Sequence, residues 1–146
     1  MSGRVRAIAG LWFAAFAFIA SAAMYSAAVA ERDVLTIVLY LAYPTLSAFV
    51  AAMLLSRWVV AASSAMRAAA GGVGIALVAF VLFAFLYVAT FNAIGSVQNR
   101  PAFLGVVLTL GLGITAPIVL PLGAAAGCLL YVTRQHVSRG RSAPIC

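Results

Sequence analysis

Tyr40, Tyr43 and Ser47 are the residues of this sequence best placed to do chemistry. Their spacings of three and four would put two phenols and a hydroxyl on one helical face, around Pro44 and Thr45. Such a face can hydrogen-bond to a neighbouring helix and repair the bond that Pro44 cannot make. It can also line a cleft for a lipid, a quinone head or a pigment. Asn92 is a further uncharged polar group within an apolar run. His136, the sole histidine, lies close to Arg134 beyond the last apolar run and reads as a solvated or headgroup-facing side chain.

No other chemistry is expected. Intramembrane charges mark ion paths, proton relays and substrate sites because they are expensive to keep. The apolar runs Ala7–Ala30, Val34–Leu55, Val73–Gly95 and Ala102–Thr133 contain no Asp, Glu, Lys, Arg or His. The only acids are Glu31 and Asp33. That argues against a proton-coupled exporter of the small multidrug type, which needs an embedded glutamate. Haem held by two histidines, zinc, iron–sulfur and di-iron sites all lack ligands. There is no phosphate-binding glycine loop and no nucleophile–base pair. We therefore expect no catalytic residue, no metal and no cofactor. Cys128 falls within the fourth run and Cys146 is the last residue, so the two are not expected to pair. The final Ala-Pro-Ile-Cys does not form a prenylation box.

The elements that must position these groups follow from composition. Hydrophobic residues make up 66% of the chain and charged residues 8%, against about 25% charged in soluble domains. Each charge-free run exceeds the roughly 20 residues that cross the hydrocarbon core as a helix, and backbone amides in lipid must pair internally. The sequence therefore predicts an all-α integral membrane protein, a four-helix bundle of two antiparallel transmembrane hairpins. Its spans are about 7–30, 34–55, 73–95 and 102–133, with a link at 56–72 and a tail at 134–146. The first 30 residues also resemble a signal peptide, ending in Ala28-Val29-Ala30. Their 24-residue apolar run exceeds the usual 7–15 of a signal core, so we read them as the first span.

Glu31-Arg32-Asp33 and residues 96–101 are short enough to make each hairpin antiparallel. The link is expected to continue the second helix, with Trp58 at the headgroup level, until Gly71, Gly72 and Gly74 break it before the third span. All nine basic residues are arginine. Arg4, Arg6, Arg57, Arg67, Arg134, Arg139 and Arg141 fall on one side, and only Arg32 and Arg100 on the other. This asymmetry predicts cytoplasmic termini and accounts for the +7 net charge without nucleic acid. Arg134, Arg139 and Arg141 are candidate contacts for anionic lipids. Arginine without lysine, beside abundant alanine, suggests a GC-rich bacterial genome and hence the cytoplasmic (inner) membrane.

The fourth run carries Pro117 and Pro121, followed by Gly123 and Gly127. The prolines predict a kink near 113–117, with Thr109 and Thr115 near enough to recover freed carbonyls. Gly113, Ala116, Gly123 and Gly127 form a small-residue stripe, the kind that lets membrane helices approach closely. Ala20, Ala23, Ala27 and Ala30 form a related stripe on the first span. A faint internal echo sets Phe13, Phe16 and Phe18 against Phe80, Phe83 and Phe85 at an offset of 67 residues. Three functional expectations remain. The foremost is a non-catalytic accessory or assembly subunit that packs against larger integral membrane proteins through its first and fourth spans. The alternative is a small four-helix membrane subunit of a multi-component transporter. Last comes an enzyme that acts on lipid-soluble substrates through a partner's residues, or through Tyr40, Tyr43 and Asn92.

Overall fold

The computed structural model describes the backbone at residues 3–28, 34–93 and 100–141, and side chains at 3–26, 34, 36–93 and 101–136. Helix α1 is Gly3–Ala28. The second span is continuous but is wound in three pieces: α2 (Val34–Ile37), a π-helical turn at Val38–Ala42, and α3 (Tyr43–Val60). Helices α4 (Ala65–Ala93) and α5 (Arg100–Arg141) complete the chain. All four spans are long and apolar enough to cross a membrane. The protein is an all-α bundle of four apolar helices, α1 pairing with the second span and α4 with α5. Of the two turns expected from the sequence, Glu31-Arg32-Asp33 and residues 96–99 of the second lie outside the described residues.

The link expected at 56–72 is mostly helix, and only 61–64 separates α3 from α4. Gly71, Gly72 and Gly74 do not break it, because packing outweighs their weak helical preference. Gly71 lies under Val59 and the Trp58 backbone, Gly74 under the Trp58 ring, and Gly72 against α5. In hydrocarbon an interrupted backbone would also leave amides unpaired, which favours an unbroken helix.

The π-helical turn answers Pro44. A proline lacks the N–H for the usual bond and crowds the preceding turn. The chain widens there, and the Tyr43 N–H donates to Val38 O, five residues back. Thr45 Oγ1 adds a 2.7 Å bond to Leu41 O in the same region. Helix α5, by contrast, runs through Pro117 and Pro121 without interruption. The two threonines do not recover the carbonyls that these prolines free. Thr109 Oγ1 bonds to Gly105 O and Thr115 Oγ1 to Gly111 O, each at 2.8 Å, whereas the i+4 rule makes Gly113 O and Pro117 O the acceptors that lose a donor.

The core draws on every span: Phe13 from α1, Ala51, Ala52 and Val59 from α3, Ala68 and Ile75 from α4, and Ala126 from α5. Helix α4 packs extensively on both α3 and α5, and α1 packs on α3. The fourth side, between α1 and α5, is the least closed. There the Trp12 indole N–H donates to Ala126 O at 3.1 Å. The α4–α5 seam changes character along its length. At one end Ala68, Gly72 and Ala76 of α4 mesh with Gly123 and Gly127 of α5, a small-residue contact on both helices. At the other end Phe83, Tyr87, Phe91 and Phe103 pack ring to ring, with centroids 4.8–6.4 Å apart.

Candidate functional site

The change from small to aromatic packing leaves space between the helices. A cavity of about 260 Å³ lies inside the bundle, bounded by α1, the second span, α4 and α5. Phe13, Phe16, Ala17 and Ala20 line it from α1, Phe80 and Phe83 from α4, and Val119 and Leu122 from α5. Its polar lining residues are Ser21, Tyr40 and Thr115, and the Thr115 hydroxyl is already engaged with Gly111 O. A cavity of this character stays dry; an engineered apolar cavity of about 150 Å³ binds benzene.

The internal echo in the sequence meets at this cavity. Phe13 and Phe16 line it from α1, and their counterparts Phe80 and Phe83 line it from α4. The third pair, Phe18 and Phe85, is exposed at 49% and 54%. The first two pairs of the echo thus meet at one cavity. The α3–α4 side is closed and the α1–α5 side is not.

Tyr40, Tyr43 and Ser47 do not form one site. Tyr40 reaches the cavity and lies 6.3 Å, ring to ring, from Tyr25 of α1. Tyr43 turns to α4, where its hydroxyl meets Thr90 Oγ1 at 2.8 Å. Ser47 is 1% exposed, away from the cavity lining, and its hydroxyl has no partner. The physical reason is the π-helical turn: its wider winding rotates residue 40 relative to 43 and 47, so a register counted at 3.6 residues per turn no longer applies. The sequence reading did not single out Tyr25, whose buried hydroxyl likewise has no partner. Its signal was its place in α1, opposite Tyr40 across a hairpin. Asn92 Oδ1 is a third buried atom without a partner.

The small-residue stripes divide in the same way. Gly123 and Gly127 are buried against α4 within this chain. Ala116 is half-buried, but Gly113 is exposed, and a Cβ there would meet nothing within 4 Å. It is not part of the packed seam, because a stripe that serves one neighbour cannot follow both sides of the helix. Ala20 lines the cavity and Ala23 is exposed; the side chain of Ala27, and Ala30 altogether, lie outside the described residues.

On the outward side of α5, Gly105, Thr109, Gly113, Pro117, Pro121 and Ala125 are all exposed at intervals of four. Val106, Leu110, Ile114 and Ile118 flank them, 46–73% exposed. Gly105, like Gly113, has open space where a Cβ would be.

At the end of the bundle where α1 begins and α5 finishes, Arg134 donates to Val60 O at the C-terminus of α3. It therefore caps a helix, where a cation opposes the negative end of the dipole. The side chains of Arg139 and Arg141 lie outside the described residues. Tyr131 OH donates to Ser63 O at 3.3 Å, Cys128 Sγ to Ala65 O at 3.5 Å, and Arg67 Nη1 to Ser63 Oγ at 3.0 Å. His136 is exposed. Among the described residues, no three His, Cys, Asp or Glu lie together. No protein-family model matches the chain, and neither a curated protein nor a solved structure is similar to it.

Proposed function

We propose that this protein is a non-catalytic accessory subunit of a larger integral membrane complex, docking through the outward face of α5. It sits in the bacterial cytoplasmic membrane with both termini inside. One observation carries the docking: the outward row of α5 exposes Gly113 and Pro117, whose carbonyls lose their helical donors to Pro117 and Pro121. Gly113 lies about 18 Å along the helix from Pro101, inside the hydrocarbon layer. A carbonyl without a donor costs several kcal/mol in lipid, and a second helix bearing a Ser, Thr, Asn or Trp side chain removes that cost. The small neighbours Gly105 and Gly113 let such a helix approach closely. Lipid alone gives no reason for the small row.

The arginine asymmetry supports the orientation. Arg4 and Arg6, both exposed on α1, are available to anionic headgroups. The docking reading is tested by extraction in a mild detergent. The wild type is expected to emerge in fixed stoichiometry with a larger membrane protein, and Gly113→Leu to emerge without it while remaining folded. Recovery of the wild type as a lone chain, with no membrane protein in constant ratio, overturns the reading.

A further inference from the structure

We infer that the cavity binds one acyl chain of a membrane phospholipid, admitted from the bilayer between α1 and α5, with its ester carbonyl held by Tyr25 and Tyr40. Three features of the cavity point to that occupant. The first is access. Three sides of the bundle are closed by long helix contacts, and the fourth is pinned where Trp12 meets Ala126. Above that pin, Ala20 on α1 and Val119 on α5 line the cavity from opposite sides of the open seam. A molecule already dissolved in the bilayer enters there without crossing water.

The second feature is chemistry along the length. The α1 lining runs from Phe13 to Met24, about 16 Å along the helix. Its walls are aromatic rings and small aliphatic groups, with no ionisable side chain among the lining residues apart from the Tyr40 phenol. That suits a hydrocarbon chain and rejects a charged or strongly hydrated solute.

The third feature is the polar end. Tyr40 lines the cavity, and Tyr25, itself outside the lining, lies 6.3 Å from it ring to ring and has a buried hydroxyl without a partner. Buried hydroxyls are ordinarily hydrogen-bonded, so Tyr25 has a donor to offer. It lies three residues from the end of α1, at the depth where tyrosines meet the membrane interface. The ester carbonyls of phospholipids lie at that boundary, and a carbonyl is an acceptor only. The pair of phenols thus supplies the polar contact, and the cavity below receives the chain. This inference stands on α1 and the interior, independently of the outward face of α5.

The test uses the full chain, purified in mild detergent and reconstituted into nanodiscs containing a phosphatidylcholine spin-labelled on its acyl chain. Wild type is expected to show one motionally restricted lipid per chain beyond the boundary shell. Ala20→Phe, which fills the cavity from a small lining position, abolishes that component; Ala79→Phe does so from α4 and serves should the first variant misfold. Tyr25→Phe weakens retention about fivefold, the effect of one hydrogen bond, without loss of helicity. Ala15→Phe, on the exposed side of α1, changes nothing. Restricted lipid that is equal in wild type, Ala20→Phe and Ala79→Phe overturns the inference. So does a wild-type cavity that retains a quinone or another neutral lipid, identified by mass spectrometry, in place of phospholipid.

Discussion

Replacing Gly72 by alanine probes the closest helix approach among the described glycines. A Cβ at residue 72 would run into the backbone oxygen of Gly123, and would also stand 3.2 Å from the Gly127 Cα. From the other helix, a Cβ at Gly123 would lie 2.8 Å from both Ala76 Cβ and Gly72 O, about 0.6 Å inside the 3.4 Å limit of ordinary contact. Backbone atoms cannot rotate away, so α4 and α5 must separate. A gap of 0.5–1 Å forfeits roughly a quarter to a half of the dispersion attraction between the facing atoms, and overpacking of this kind costs about 1–3 kcal/mol. We expect Gly72→Ala near the upper end of that range because the obstacle is main chain on both sides.

Gly113→Ala is the matched reference. Both substitutions gain the helical preference of alanine over glycine, about 0.5–1 kcal/mol, but residue 113 has open space around it. The difference between the two variants therefore isolates the steric term, about 3 kcal/mol or more than 100-fold in the unfolding equilibrium. The assay is reversible unfolding in mixed detergent micelles, followed by tryptophan fluorescence. Equal stability of Gly72→Ala and Gly113→Ala would refute the close α4–α5 contact.

Other substitutions report on single contacts. Trp12→Phe removes the indole bond to Ala126 O and is expected to cost about 1 kcal/mol in the same assay. A double-mutant cycle with Tyr43→Phe and Thr90→Val should return a coupling of about 0.6 kcal/mol for the bond between α3 and α4; zero coupling would dissolve that link. Arg134→Ala leaves the end of α3 uncapped, and amide hydrogen exchange at 57–60 should quicken while exchange in α1 stays as it was.

The four spans were legible because length and the absence of charge suffice for them: Ala7–Ala30 and its counterparts exceed the bilayer by themselves. Which face of each span points inward was much harder to read. In soluble helices the polar face marks the outside, but Leu11, Phe18 and Ile114 face outward here as readily as Phe13 and Ile75 face inward. Only small residues break that symmetry, and they do so ambiguously. Gly123 and Gly127 pack within the chain, whereas Gly113, one of the same stripe, faces out. The turning of Tyr40 away from Tyr43 and Ser47 had a local cause, since Pro44 announced a disturbance but not that a π-helical turn would absorb it. The unbroken helix through Gly71, Gly72 and Gly74 needed knowledge of Trp58 and α5, residues distant in sequence that a turn rule cannot include. The Phe13 and Phe80 echo was visible at the outset, but its meaning required the cavity that the two residues share.

The most direct measurement for the docking face is site-specific photo-cross-linking in intact membranes, with a photoreactive residue placed in turn at Gly105, Thr109 and Gly113, and at Leu11 and Ile19 of α1 as lipid-facing references. The account predicts a discrete protein adduct of higher mass from the α5 positions and lipid adducts alone from α1. Lipid adducts alone at every position would contradict it.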